Sequence, residues 1–165
     1  TATVNSVVQI QAKSLRSIVL PGFAVAFVLL AVGDAAADTN TTSRTQLLGH
    51  AQEVFVAAQK LYEAEPTNNV AAWQFAKAAF DRGEFSTNDT ERAAIAVQGI
   101  SACRKLIQSD PKSAQAHYYL GLNLGQLART KLLGALPLVS EMEGGFKTAR
   151  QLDENFDYAG PDRFL

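Results

Sequence analysis

His50 and Glu53 stand three residues apart, a spacing that lets an imidazole and a carboxylate share one helix face and offer nitrogen and oxygen to a metal ion. A metal site needs more ligands than these two. The sequence has no second pair, and His117 stands alone, so both histidines read as surface or capping residues and no metal is expected. Cys103 falls on the apolar stripe Ala93, Ala96, Val97, Ile100, Cys103 and Ile107, where a thiol acts as a small hydrophobe. A nucleophile wants instead an exposed, electropositive setting with a base nearby. Glu141 and Glu143 are two apart, face different sides of a helix, and cannot work as a paired acid and base. Gly144-Gly145 lacks both the preceding strand and the following Lys-Ser/Thr of a phosphate loop. A catalyst normally holds at least two positioned polar groups, one to move a proton or attack and one to stabilise charge. No such pair is found, so the expected function is binding without catalysis and without a cofactor.

The residues expected to carry binding are Trp73, Lys77, Gln115, Tyr118 and Gln126. In stacked helical hairpins the first helix of each pair lines a concave surface, and these side chains fall on such helices. Aromatic anchors among adaptable polar groups suit a partner surface. The same aromatics, at a fixed place in a repeat, equally serve to pack helices together. Asn123 has Tyr119, Leu120 and Leu127 as neighbours at helical spacing, so its amide lies near the apolar side and needs partners. It either bonds a neighbouring helix or, with Tyr119, lines a cavity. Gly121 and Gly125, four apart, make a flat strip suited to the close approach of another helix.

These residues are positioned by helices. Ser43 with Gln46 three later predicts a capping box, followed by Leu47, Leu48, Ala51, Val54, Phe55, Ala58, Leu61 and Tyr62 on one face up to Pro66. Asn68 or Asn69 opens a second helix that carries Ala72, Trp73, Ala76, Ala79 and Phe80 and stops at Gly83. Asn88 with Glu91 caps a third, which Asp110-Pro111 ends. A fourth runs from Ser113 through Leu127 with Ala116, Tyr119, Leu120, Leu124 and Leu127 inward. Pro137 interrupts the next stretch, a fifth helix carries Val139, Met142, Phe146 and Ala149, and Gly160-Pro161 begins another. Alternating β-branched runs are absent after Ser43, so the domain is expected to be all-α, with short connections that make antiparallel hairpins.

A repeat underlies this order. Leu61, Leu106 and Leu152 are each followed twelve residues later by an aromatic, Trp73, Tyr118 and Phe164. Lys60-Leu61 and Lys105-Leu106 each precede an acidic-Pro pair, Glu65-Pro66 and Asp110-Pro111. The stretch Asp110-Pro-Lys-Ser-Ala-Gln-Ala-His-Tyr-Tyr-Leu-Gly121 resembles the junction between two tetratricopeptide repeats, and Glu65-Pro66 leading to Trp73 resembles a weaker copy. The family period is about thirty-four residues; here it is longer, with Glu84–Asp89 and Thr130–Leu138 absorbing the excess. The resemblance implies a short right-handed stack of hairpins over residues 44–165. An exported protein of this kind is similar to the T component of TRAP-type solute transporters, which implies a periplasmic accessory subunit handling a small organic ligand. The two expected functions are therefore a module that holds a protein or peptide partner in the cell envelope and, as the alternative, that transport accessory.

Composition bounds the rest. The 165 residues fit one domain, with 47% hydrophobic and 19% charged residues and a net charge of -1. That balance argues against nucleic acid as a partner, and a single cysteine excludes an internal disulfide. Residues 13–38 have the form of an export signal: Lys13 and Arg16, the apolar run Ile18–Val32, then Ala35-Ala36-Ala37 before Asp38. Cleavage there makes residues 1–37 a signal peptide and 38–43 a mobile polar leader, and places the protein in the periplasm. Retention makes the same run an inner-membrane anchor, the chain's one contact with lipid. The chain starts at Thr1 and stops within a pattern at Leu165, so it reads as a piece of a longer repeat protein in which Phe146 and Phe164 are expected to be exposed.

Overall fold

Three asparagine and serine caps set the frame. The computed structural model describes residues 35–165, with side chains from Ser43 onward. Asn68 accepts from the backbone N–H groups of Val70 and Ala71 at 2.9 and 3.2 Å and starts α2, Asn69–Glu84. Asn88 accepts from Glu91 N–H at 2.9 Å at the head of α3, Asp89–Ser109. Ser113 Oγ accepts from Ala116 N–H at 3.2 Å at the head of α4, Ala114–Ala128. Each such cap satisfies donors that a helix start leaves open and contributes about 1 kcal/mol.

The first helix departs from expectation. α1 spans Ala35–Ala64, so Ser43 lies inside it rather than at its start, and the helix takes in residues 38–43. Ala35-Ala36-Ala37, the strongest helix formers, begin the helix ahead of the polar stretch. The rest of the export or anchor segment, with Lys13, Arg16 and Ile18–Val32, lies outside the described residues. No helix among the described residues is long and apolar enough to cross a membrane. Pro137 does not break a helix; it occupies the first turn of α5, Leu136–Leu152, where its missing N–H has no partner to lose. Gly160-Pro161 opens a 3-10 helix, Gly160–Phe164, reached through a four-residue turn, α6, Phe156–Ala159.

The described residues contain no strand. Consecutive helices α1 to α5 pack against one another as antiparallel hairpins, and α2 also packs directly on α4. That second contact makes the hairpins a stack: α2 and α4 form one layer, with α3 behind them. The core runs along this seam through Ala76, Ile100, Cys103, Tyr119, Leu124 and Phe146. A second cluster joins Phe55 of α1 to Phe75, Ile95 and Ala102. Phe146, expected at an exposed end, is fully buried. Phe164 returns from the 3-10 helix and stacks on it at 4.9 Å between ring centroids, remaining half exposed itself.

Glycines let α5 come close to α4. A Cβ on Gly121 would stand 2.7 Å from the Phe146 ring, and one on Gly145 would stand 2.9 Å from the His117 carbonyl oxygen. The expected flat strip is thus a packing surface, and a Cβ on Gly125 would stand 3.2 Å from the Met142 sulfur.

Candidate partner-binding face

The α2–α4 layer presents the face on which the candidate residues were expected, and the structure distributes them unevenly. Trp73 is half-buried and stacks on the Tyr119 ring, 6.0 Å between centroids and 7° from parallel. Lys77 is exposed and ion-paired one turn on with Asp81. Gln115 is half-buried beside the Ser113 hydroxyl, which donates to it at 3.3 Å. Neither Lys77 nor Gln115 joins the other candidates.

Tyr118 and Gln126 are only 2% exposed. The C-terminal segment covers Tyr118: its hydroxyl donates to Asp157 at 2.7 Å, and the rings of Phe156 and Phe164 lie 5.4 and 6.4 Å from its own. Burial, then the neighbouring Asp157 carboxylate, pushes the Tyr118 phenol up to about 12, while Arg163 pulls the other way. Tyr119, buried as well, is raised further still.

Asn123 is fully buried, and its amide nitrogen donates to the carbonyl of Ala76 on α2 at 2.9 Å and to that of Tyr119 at 2.8 Å. It fastens α4 to α2. Its Oδ1 has no hydrogen-bond partner and points at Gly99 of α3, where a Cβ would come within 2.5 Å. The position where a cavity was one of two expectations is therefore packed on three sides.

An open groove lies further along the layer. It has a volume of about 320 Å³, with Phe80, Leu122 and Phe164 among its apolar walls and Glu84, Gln126 and Arg129 at its polar end. Gln126 donates to Glu84 Oε1; Arg129 donates to the same oxygen at 2.9 Å and to Gln126 Oε1 at 3.3 Å. Of these residues only Gln126 is a candidate on sequence; Phe80, Glu84, Arg129 and Phe164 are supplied by the fold. A signal existed, since Glu84 and Arg129 stand 45 residues apart, the same interval that separates Trp73 from Tyr118.

The other groups with chemical potential stand apart. Cys103 is fully buried, and burial holds its thiol protonated far above the usual range. His50 is exposed, and a ring nitrogen of His117 lies 2.9 Å from the Pro111 carbonyl. Among the described residues no three histidine, cysteine, aspartate or glutamate side chains gather closely enough to hold a metal ion.

The groove and its polar end are built by α2 and α4, with Met142 and Phe146 of α5 and Phe164 of the returning segment as further walls. A family model described as Regulator of microtubule dynamics protein 1-3 matches residues 30–134, which take in α1 to α4 and most of the connection to α5. No curated protein and no solved structure matches the chain. The match covers well over half of the sequence and includes both helices of the candidate face, and on that ground the chain belongs to the family of regulator of microtubule dynamics proteins 1-3.

Proposed function

We propose that this protein is a non-catalytic, helical-repeat binding module that seats a side chain or short segment of a protein partner in the groove lined by α2, α4, α5 and Phe164. The observation that carries the reading is the groove itself: apolar walls at Phe80, Leu122 and Phe164, and a polar end at Glu84, Gln126 and Arg129 that can exchange internal hydrogen bonds for a partner's. It is open rather than enclosed. A transport accessory that handles a small solute would need a chamber near Tyr119 and Asn123, and the Asn123 amide is committed to holding α2 and α4 together. The binding module is therefore the preferred reading.

The family's description makes the microtubule, or its subunits, the first partner to test. A partner in a bacterial envelope is the second reading, favoured by the basic residues Lys13 and Arg16 ahead of the apolar run Ile18–Val32. Co-sedimentation of the full chain with polymerised tubulin separates them. Arg129→Glu places a carboxylate beside Glu84 without touching the core, because Arg129 is exposed. The expected result is co-sedimentation of the parent protein and at least a tenfold loss of affinity in the variant at unchanged helix content. Equal binding by both proteins rules out the groove, and no binding by the parent rules out the microtubule partner.

A further inference from the structure

The connection between α4 and α5 breaks the usual rule for a surface loop. Leu132, Leu133 and Leu136 are 99%, 88% and 82% exposed, within five residues of one another. Single exposed leucines are ordinary; three gathered at one tip are a contiguous apolar surface that water solvates poorly. Gly134 makes the turn with φ of +81°, a conformation that other residues resist, and so holds the leucines on either side of a tight bend. Lys131 is exposed beside them, and no acidic residue occurs between Ala128 and Ser140. The stretch thus combines an apolar tip with positive charge.

Its place in the fold narrows what could cover it. Arg129 at the exit of α4 bonds Glu84 at the exit of α2, so the leucine loop sits at the same end of the stack as the α2–α3 connection. α1 enters at that end as well: Gln52 accepts from Arg82 at 2.6 Å, and the Arg44 guanidinium lies 5.8 Å from the centre of the Phe85 ring. The helix runs on past these contacts, so its start at Ala35 projects beyond the leucine-bearing end. In sequence, the residues just before it are the apolar run Ile18–Val32. The start of α1, which that run precedes in sequence, and the exposed apolar, cationic tip share one end of the domain.

We propose that the Leu132–Leu136 tip is a membrane-docking loop: the three leucines enter the headgroup–acyl boundary of a bilayer while Lys131 meets anionic lipid headgroups. The docking orients the domain with the leucine-bearing end towards the lipid and the α1–α2 and α3–α4 connections away from it. This inference is independent of the partner's identity.

The test uses the full chain reconstituted with vesicles of phosphatidylcholine and phosphatidylserine at about two to one. Leu133→Cys is labelled with an environment-sensitive fluorophore, Cys103 being buried and its thiol protonated. Thr67→Cys, exposed in the α1–α2 connection at the opposite end, is the reference. The expected result is blue-shifted emission at position 133 that lipids with brominated acyl chains quench severalfold, and water-like, unquenched emission at position 67. Flotation of the vesicles reports separately whether the chain associates through Ile18–Val32, so loss of that association and loss of loop insertion are told apart. Tryptic cleavage after Lys131 should slow about tenfold on vesicles in the parent and not in the variant Leu132→Ser/Leu133→Ser/Leu136→Ser, whose exposed positions leave the fold intact. Water-like emission at position 133 on floated vesicles overturns the proposal. So does a spectral shift that tracks protein density and ignores brominated lipid, which marks the tip as a contact between two copies.

Discussion

Tyr118, which the sequence offers as a partner-binding aromatic, has its partner within its own chain. The residue is buried against Tyr119, Phe146, Phe156 and Phe164, with Asp157 accepting a hydrogen bond from its hydroxyl. Replacing it with alanine would therefore report on folding, and Tyr118→Phe is the cleaner probe, expected to cost about 1 kcal/mol for the lost hydrogen bond. Its ionisation is more telling. The folded-state phenol is raised to about 12 against an ordinary value of 10.0. A raised value favours the neutral form in the folded protein, so the associated stability is complete below pH 10 and is lost as pH climbs from 10 towards 12. Absorbance at the tyrosinate band should show one or more late-titrating tyrosines in the parent. In Asp157→Asn the negative neighbour is gone, and the Tyr118 midpoint should fall. An unchanged midpoint would mean that the C-terminal segment does not cover Tyr118 in solution.

At the scale of the elements, most helix boundaries were legible because they are written in local chemistry. Asn68, Asn88 and Ser113 accept from nearby backbone donors, and an oxygen on a short side chain can do that without help from the rest of the fold. The start of α1 was misplaced for the same reason: Ser43 and Gln46 have the form of a local cap, but the helix was already running from Ala35. What local pattern could not show was which glycine matters. Gly144 and Gly145 are neighbours in α5 and look equally helix-weakening in sequence. A Cβ on Gly144 would meet nothing within 4 Å, whereas one on Gly145 would meet the His117 backbone oxygen at 2.9 Å. Gly144→Ala should therefore stabilise the protein by about 0.5–1 kcal/mol. Gly145→Ala should destabilise it by about 1–3 kcal/mol, since α4 backbone cannot give way as a side chain can. Thermal melts of the two variants moving in opposite directions are the expected result, and parallel shifts would mean that α5 does not approach α4 this closely. The binding groove was half legible by the same logic: Gln126 lay on a helix face readable from spacing, while Phe164 arrives from a segment whose path depends on tertiary contacts.

At the scale of the whole molecule, the apolar face of each hairpin in a helical stack is buried by whatever packs next to it. Here the residues after α5 do this for Tyr118 and Phe146. Phe156, Gly160 and Phe164 come back over Tyr118 and Phe146, and Gly160 passes so near the Tyr118 hydroxyl that a Cβ there would stand 2.6 Å from it. The return is bought with backbone strain: Asp157, Tyr158 and Ala159 all lie in the left-handed region, with φ of 51°, 55° and 58°. Three consecutive residues of that kind are disfavoured by about 1–2 kcal/mol each without a glycine. Arg163 helps to hold the turn by donating to the Asp157 carbonyl at 3.0 Å, and Asp157 is anchored to Tyr118. Tyr158 contributes less, since its side chain is 93% exposed. Removing that side chain should relieve strain while losing little contact. We expect Tyr158→Gly to raise stability by about 1 kcal/mol, the left-handed penalty less the added chain entropy of glycine. Because the strain belongs to the segment over Tyr118, amide exchange at Gly160 and Phe164 should slow together with the rise in melting temperature. A Tyr158→Gly protein that melts lower and exchanges faster there would show that the left-handed turn is not how this segment covers Tyr118 and Phe146.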